Sequence, residues 1–359
     1  MKFIHIADVH LGAEPDKGYP WSKRRAEEIW RTFREVLRVA EREQADLLLI
    51  AGDLFHRQPL LRELKEVNYL FGKLSRTQVV LIAGNHDYLQ EGSTYQKFQW
   101  EENVIFLNGR ECECVEFSNL QTIVYGFSYY DREIREPLYH QIQANLGRAG
   151  AQCQILLAHG GDEKHIPIDK RQLTTAGFDY VALGHIHKPQ FLVENRIAYA
   201  GALEPLEIGD TGVHGYIMGQ YEKGQLETEF VPFACREYVE TEIYSERIST
   251  DFSMQEQIEQ LIRTRGEQNI YRIHIQGYRD PEIRYQTEKY RRLGNVLDVV
   301  DETEPDYDFE ELWNQHAQDA VGRYIEKLWD KDSAAPVNET ARQALYYGLS
   351  AMLGSEERR

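Results

Sequence analysis

The chain has 359 residues, of which 42% are hydrophobic and 11% aromatic, so wholesale disorder is excluded and a substantial core is possible. Its formal net charge is −18 at pH 7, whereas a domain that binds mainly nucleic acid usually has a basic surface. The first residues show no secretion signal, and no apolar run approaches the roughly 20 residues that a membrane-spanning helix needs. The four cysteines form no CxxC pair. We therefore expect free thiols and a soluble, cytoplasmic protein without membrane contact.

Short apolar runs alternate with amphipathic segments from residue 3 to residue 187, a pattern that predicts β-α-β units. The predicted strands are 3–8, 46–53, 79–85, 122–128, 154–160 and 180–186. Apolar residues at helical spacing predict helices over 29–40 and 61–74. More short strands follow residue 187, so we expect residues 1–234 to form one large α/β domain.

Two smaller segments should follow this domain. Residues 235–303 alternate strand-like and helix-like patterns, which predicts a small α+β module. Residues 304–359 begin with an acidic connector and contain two amphipathic stretches, one from Trp313 to Leu328 and one from Ala341 to Met352. We therefore expect one helix over each stretch, in a helical C-terminal segment.

Nearly every predicted strand of the large domain ends in a small residue and then a polar one, as in Gly52-Asp53 and Gly184-His185. In open α/β sheets, ligands gather beyond the carboxyl ends of strands, where small residues let side chains approach a common centre. The polar residues form an ordered set along the chain: Asp8-x-His10, Asp53, Asn85-His86-Asp87, His159 and His185-x-His187. We expect these side chains to converge in space.

Carboxylates, imidazoles and one amide oxygen make a ligand set that suits Mn²⁺, Fe²⁺ or Zn²⁺. Seven candidate ligands are too many for one ion with an open coordination site, so two divalent ions are expected. The candidates are Asp8, His10, Asp53, Asn85, His159, His185 and His187. A carboxylate such as Asp53 could bridge the ions. Asp8 and His10 could point the same way if their strand continued, as could His185 and His187.

The order D-x-H, GD, GNHD, H and GHxH resembles the calcineurin-like metallophosphoesterase superfamily over residues 1 to about 205. The resemblance implies an α/β fold, a four-layer sandwich with a small α+β capping domain and a helical C-terminal tail. It implies one ion held by Asp8, His10, Asp53 and His187, and another held by Asp53, Asn85, His159 and His185. It also implies that His86 is the general acid for the leaving oxygen and that Asp87 orients the His86 ring.

Within that superfamily the chain is most similar to the SbcD/Mre nucleases. The similarity lies in Asp8-Val9-His10-Leu11-Gly12, in Gly52-Asp53-Leu54-Phe55-His56 and in Gly184-His185-Ile186-His187 before Pro189. It implies a Mn²⁺-dependent DNA exonuclease and endonuclease of DNA repair, with His56 positioning the substrate phosphate. The capping domain would bind DNA, and the C-terminal segment would dock on an SbcC-like ATPase of the SMC type. A homodimer would form through residues 60–74 and the segment Tyr95 to Trp100.

Three arginines, Arg24, Arg25 and Arg57, are candidate contacts to the DNA backbone. The arginines of the first helix are explained equally well as a solvated helix face. The metal ligands are common to the whole superfamily, so a phosphatase or cyclic-nucleotide phosphodiesterase for small substrates is an alternative. A binding subunit without turnover is a third hypothesis. The region after residue 235 favours the nuclease, because an enzyme for small substrates does not require it.

Overall fold

The structure is a computed structural model that describes residues 1–144, 152–330 and 335–353. The chain divides into two compact units, Met1–Tyr238 and Val239–Arg359.

The first unit contains twelve strands and four α-helices among its described residues. The strands are β1 (Lys2–Ile6), β2 (Leu47–Ala51), β3 (Gln78–Ile82), β4 (Val104–Phe106), β5 (Glu113–Phe117), β6 (Thr122–Gly126), β7 (Cys153–His159), β8 (Tyr180–Gly184), β9 (Gln190–Val193), β10 (Ile197–Tyr199), β11 (Gly215–Glu222) and β12 (Gln225–Pro232). The helices are α1 (Ser22–Arg42), α2 (Leu61–Phe71), α3 (Thr94–Lys97) and α4 (Lys170–Thr175), and two short 3-10 helices cover Ser118–Leu120 and Leu138–Gln141.

These strands form two six-stranded sheets, in the orders β12-β11-β1-β2-β3-β4 and β5-β6-β7-β8-β10-β9. The strands β1 to β4 are parallel, as are β6, β7, β8 and β10, and antiparallel strands complete each sheet. Every residue of β2, β7 and β8 is buried. Continuous apolar runs of this kind are typical of parallel strands that are covered on both faces.

The two sheets pack face to face, and a further layer covers the outer face of each. Leu49 and Val80 of the first sheet share a core with Ile155 and Ala182 of the second. A second core joins the first sheet to α1 and α2, and a third joins the second sheet to α4 and the loops near Tyr139. The expected four-layer α/β sandwich is confirmed.

Several strands stop before the polar residues that were expected to extend them. The strand β1 ends at Ile6, β2 at Ala51 and β8 at Gly184. Asp8, Asp53 and His185 therefore lie in the loops that follow these strands. Each of the three has a positive φ, a backbone conformation incompatible with a continuing strand.

The second unit contains all but the first residue of β13 (Tyr238–Ser245), and the strands β14 (Ile270–Arg279), β15 (Val296–Asp301), β16 (Glu304–Pro305), β17 (Trp329–Asp330) and β18 (Ala335–Pro336). Its helices are α5 (Asp251–Arg265), α6 (Thr287–Tyr290), α7 (Phe309–Gln315), α8 (Ala320–Leu328) and α9 (Glu339–Leu353). The sheet has the order β13-β14-β15, with β16 also paired to β14. Met254, Ile258 and Ile262 of α5 pack in the core of this α+β module.

The prediction of one helix from Trp313 to Leu328 is wrong, because α7 and α8 are separate. Asp319 begins the second helix, and its carboxylate accepts hydrogen bonds from the main-chain N–H groups of Val321 (2.8 Å) and Gly322 (3.3 Å). An aspartate that caps free N–H groups in this way starts a new helix. Both helices and α9 share one small hydrophobic core, which includes Ile325 and Leu345.

All four cysteines are free thiols, as expected. Among the described residues, each helix is too short or too polar to cross a bilayer.

Candidate metal centre

The seven candidate ligands lie where the parallel strands of the two sheets end. Asp8 and His10 follow β1, Asp53 follows β2 and Asn85 follows β3, whereas His159 is the last residue of β7 and His185 and His187 follow β8. Asp8, His10 and His159 are fully buried, and Asp53 and Asn85 are nearly so. The expected convergence is therefore present in the fold.

The backbone at these strand ends is strained. Asp8, His10 and Asp53 have φ angles of 49°, 50° and 49°, and His185 has a φ of 95°. Residues with side chains adopt positive φ at a cost of about 1–3 kcal/mol each, and such residues cluster at functional sites. Because the chain turns here, Asp8 and His10 do not continue a strand, and the expectation of a shared direction does not apply to them.

Glycines make the close approach of these side chains possible. A Cβ atom at Gly84 would overlap a carboxylate oxygen of Asp53 and would lie 2.7 Å from Cε1 of His159. A Cβ atom at Gly184 would lie 2.9 Å from Nδ1 of His159. The small residue before each polar one is therefore required by packing at these two positions.

One group of donor atoms is centred on His10. Its Nε2 atom lies 3.2 Å from Nε2 of His187 and 3.8 Å from Oδ2 of Asp53. Nitrogen or oxygen atoms of Asp8, His10 and His187 lie within 4.8 Å of one another.

A second group is centred on Asn85. Its Oδ1 atom lies 2.9 Å from Nε2 of His159 and 3.1 Å from Nδ1 of His185. The Nε2 atom of His159 is also 3.4 Å from Oδ2 of Asp53. Oδ2 of Asp53 therefore faces both groups, and His185 and His187 belong to different groups although they are two residues apart.

The donor set fits divalent cations. Two ligands at about 2.1 Å from one ion lie about 3.0–3.4 Å apart at tetrahedral or octahedral angles. The shortest contacts between candidate ligands, from 2.9 to 3.4 Å, match that separation. Two imidazole nitrogens that face each other, as in His10 and His187, need a shared proton or a cation between them.

The charge of the cluster also favours a cation. Burial raises the pKa of Asp8 to about 6. Although burial lowers the pKa of His159, the carboxylates of Asp53 and Asp8 raise it to about 9. Without a metal, the carboxylates thus hold protons on neighbouring groups, and a metal ion would displace such protons when it binds. Burial lowers the pKa of His10 well below its usual value, so the ring is held in the neutral form that a metal ligand requires.

Two aspartates that sequence analysis missed contact the histidines after β8. Asp162 Oδ2 lies 2.7 Å from Nε2 of His185, and Asp210 Oδ2 lies 3.0 Å from Nδ1 of His187. Asp162 is three residues after His159, a position that could have signalled its role. Asp210 is 23 residues from His187 in sequence and carries no comparable signal.

His86 and His56 lie beside the ligand cluster. Nδ1 of His86 lies 3.1 Å from the main-chain oxygen of His56, and the two rings stack with their centroids 5.2 Å apart. The His86 ring also meets the His10 ring edge-on, at 4.8 Å. Together with His187, these three histidines line an open pocket of about 340 Å³, whose wall includes Glu14 and Glu207.

Asp87 does not contact the His86 ring, and the expectation that it orients that ring is corrected. Its carboxylate accepts hydrogen bonds from the main-chain N–H groups of Gly84 (2.8 Å) and Phe55 (3.1 Å). Adjacent side chains point in different directions, so Asp87 is fully buried beneath the loop, whereas His86 faces the pocket. The His56 carbonyl orients the His86 ring, and Asp87 fixes the loops after β2 and β3.

The three arginines expected at the DNA surface differ in their environments. Arg25 is fully buried and pairs with Glu28 at 2.9 Å, so its assignment to DNA binding is wrong. It lies on the buried face of α1 because position 25 is in register with the apolar positions of that helix. Arg24 is exposed. Arg57 is half-exposed and forms a two-point ion pair with Glu63, at 2.9 and 3.0 Å.

Comparison with known proteins identifies a family and several relatives of this chain. Residues 1–189 match the family model described as calcineurin-like phosphoesterase. An uncharacterized metallophosphoesterase, YhaO of Bacillus subtilis, is 33% identical over 64% of this chain and 60% of its own length. The DNA double-strand break repair protein Mre11 of Aeropyrum pernix is 28% identical over 60% of this chain and 56% of its own length. In both cases the matched region is less than two thirds of the relative. The SbcD component of the nuclease SbcCD from Staphylococcus epidermidis is 24% identical over 97% of this chain and 99% of its own length.

Proposed function

This chain belongs to the calcineurin-like phosphoesterase family, and we propose that it is a Mn²⁺-dependent DNA nuclease of DNA repair, with exonuclease and endonuclease activity. The family consists of phosphoester hydrolases that bind divalent metals. One observation carries the proposal: seven candidate metal ligands, Asp53 among them, converge in space, with His86 and His56 on an open pocket beside them. Relatives named as a nuclease component and as a DNA break repair protein support DNA as the substrate.

The donor groups suggest how two ions would be held. Asp8, His10, Asp53 and His187 would bind one, and Asp53, Asn85, His159 and His185 would bind the other. The contacts from His10 to His187 and from Asn85 to His159 and His185 support this division. When bound, two such ions lower the pKa of a water nucleophile and neutralise charge on the transferring phosphoryl group.

His86 is the proposed general acid. Its Nδ1–H donates to the His56 carbonyl, which fixes the ring and leaves the opposite nitrogen for proton transfer. A phosphodiester in the pocket would lie against this ring, so His86 can protonate the departing sugar oxygen. The stacked His56 ring would position a non-bridging phosphate oxygen.

Other parts of the chain supply the proposed contacts to DNA and to partner proteins. Arg24 and Arg57 remain candidate phosphate contacts, and the α+β module of the second unit is a candidate DNA-binding cap. The C-terminal helices α7, α8 and α9 are proposed to dock on an SMC-type ATPase similar to SbcC.

The proposed homodimer would use α2. Leu61 and Tyr69 of this helix are 49% and 61% exposed. Tyr95, which was expected at the same contact, is buried against Phe55 and Phe106 and is not available on the surface.

Nuclease assays on linear double-stranded, single-stranded and hairpin DNA, with and without Mn²⁺, test the proposal. The wild type should cleave DNA only with the metal, and His86→Ala should lose about 100-fold or more of the rate while it keeps its bound metal. His316→Ala, far along the chain in the second unit, is the matched control and should cleave normally. Metal-bound His86→Ala with full activity would overturn the role of His86.

The generic diester bis-p-nitrophenyl phosphate provides the comparison with small substrates. If the wild type hydrolyses this ester but none of the DNA substrates, a phosphatase or cyclic-nucleotide phosphodiesterase replaces the nuclease.

A further inference from the structure

The two histidines after β8 are each backed by an aspartate that is not a candidate ligand. Asp162 contacts Nε2 of His185, on the opposite side of the ring from the Nδ1 atom that faces Asn85. Asp210 contacts Nδ1 of His187, on the opposite side from the Nε2 atom that faces His10. In each ring, one nitrogen faces the candidate ligands and the other faces an aspartate. The nitrogen that faces the ligands is Nδ1 in His185 and Nε2 in His187.

Both carboxylates are held in place by their own loops. Oδ1 of Asp162 accepts hydrogen bonds from the main-chain N–H groups of Lys164 (2.7 Å) and His165 (3.0 Å). Oδ2 of Asp210 accepts one from the N–H of Leu206 (2.8 Å). An acceptor that is already fixed can select which ring nitrogen of a histidine carries the proton.

Asp162, His165 and His185 could also be considered as a third metal site, because their donor atoms lie within 4.8 Å of one another. The chemistry of His185 argues against this assignment. If Nδ1 of His185 binds an ion with Asn85, then Nε2 keeps its proton and donates it to Asp162. A third ion at Nε2 would require the ring to lose that second proton. His165 also donates to Asp162, from Nδ1 at 2.8 Å.

We propose that Asp162 and Asp210 are positioning residues that fix the tautomers of His185 and His187 and thereby set the affinities of the two ion positions separately. This inference rests on the proposed ligand set. Asp162 selects metal binding through Nδ1 of His185, and Asp210 selects binding through Nε2 of His187. Neither aspartate touches the reacting groups.

The two ion positions should differ in how much metal affinity they lose when the supporting aspartate is replaced. The side chain of Asp210 is 10% exposed, whereas that of Asp162 is 46% exposed. Water competes more strongly for an exposed hydrogen bond, so the contribution of Asp162 is smaller. Loss of such supporting contacts typically costs 10–100-fold in metal affinity. We expect about 10-fold for Asp162→Asn and about 100-fold for Asp210→Asn.

Calorimetric titration of Mn²⁺ into the metal-stripped full-length chain tests this inference. The wild type should bind two ions, and each variant should weaken one binding step while the other keeps its wild-type affinity. Asp131→Asn, an exposed aspartate whose carboxylate accepts from the neighbouring Arg132 N–H, is the matched control and should bind both ions normally. Nuclease activity of both variants should recover at saturating Mn²⁺, a rescue that general misfolding would not show.

Two results would contradict the inference and can be told apart from failure of the proposed function. If the wild type binds two ions and both variants bind them with wild-type affinity, the positioning role is wrong and the metal centre stands. If each variant weakens both steps equally, the two positions are not set separately. If the wild type binds no ions, the proposed function itself fails. If Asp210→Asn does not fold, the result for Asp162→Asn, on its exposed loop, still decides whether an aspartate sets the metal affinity of one ion position.

Discussion

Among the described residues of the first unit, two clusters of buried charged groups differ in how their charges are matched. In one, Arg25 and Arg236 contact Glu28, at 2.9 and 2.8 Å, and Arg25 also contacts Glu204 at 3.4 Å. Its two positive and two negative groups balance. The formal charges of a buried cluster of this kind need no ion from outside the chain.

The other cluster is the candidate metal centre, which lacks such a balance unless its histidines take up protons. Asp8 and Asp53 are surrounded by imidazoles and an amide oxygen, whose nitrogen and oxygen atoms lie 2.9 to 3.4 Å apart and need a proton or a cation between them. Burial and charge are common to both clusters. The difference teaches that unmatched acceptors, rather than buried charge, mark the site that takes a ligand.

The sharpest test of this difference is Asp53→Ala. Since Asp53 faces both groups of donors, the variant should lose both ions and more than about 1,000-fold in nuclease activity. Removal of a single group that stabilises a transition state already costs about 10²–10³. Metal analysis and DNA cleavage rates measure the effect. A variant that keeps two ions and cleaves normally would show that Asp53 is no shared ligand.

Glu28→Gln is the corresponding change in the balanced cluster. It leaves two buried arginines with one carboxylate fewer, which should lower the free energy of unfolding by about 3–5 kcal/mol. Urea denaturation measures this loss, and bound metal should stay at the wild-type level. The control is Arg34→Gln, which breaks an exposed pair with Glu66 at 3.2 Å and should cost less than about 1 kcal/mol. If Glu28→Gln lost bound metal and kept its stability, the two clusters would not differ in the way proposed.

Mn²⁺ should stabilise the protein through the unbalanced cluster only. A free concentration 100 times the dissociation constant stabilises the folded state by about 2.7 kcal/mol for each site. Thermal unfolding should show this gain in the wild type and in Glu28→Gln, but not in Asp53→Ala. An equal gain in all three proteins would place the ions elsewhere.

His5 offers a smaller test, because it is a buried histidine outside the metal centre. Burial lowers its pKa to about 3 in the folded protein, and its Nδ1 atom lies 3.0 Å from the Tyr180 hydroxyl. Below pH 6.5 the unfolded chain therefore binds more protons than the folded protein does. The free energy of unfolding consequently decreases as the pH falls. Between pH 6.5 and 4.5 this loss should approach about 1.4 kcal/mol per pH unit.

The variant His5→Gln should lose less stability over that range than the wild type, when both are metal-free. The difference between the two proteins cancels the titration of the histidines in the metal centre. Identical pH dependence in the two proteins would show that His5 does not contribute.

Sequence patterns predicted the framework of the site but not its supporting contacts. The apolar runs located six strands, because continuous hydrophobic segments of five to seven residues are distinctive. The polar residues after them were found because Asp53, His159 and the others follow those runs directly. Asp210 was missed because a residue that supports a ligand from a distant loop leaves no local pattern.

Two errors share a physical cause. Arg25 was assigned to DNA and Asp87 to His86. Both assignments relied on closeness in sequence, whereas packing determines the direction in which each side chain points. Arg25 points inward to Glu28 and Glu204, and Asp87 points to the N–H groups of Phe55 and Gly84. The break between α7 and α8 was missed because one aspartate, Asp319, begins a helix in the middle of an amphipathic pattern.

The most direct test of the metal centre is to titrate Mn²⁺ into metal-stripped wild-type protein and follow bound ions and cleavage of linear double-stranded DNA in the same samples. We predict two ions per chain, with cleavage appearing only as the second is bound. Cleavage by protein that holds no divalent ion, or binding of two ions that Asp53→Ala leaves unchanged, would contradict the assignment of the unmatched cluster as a two-ion nuclease centre.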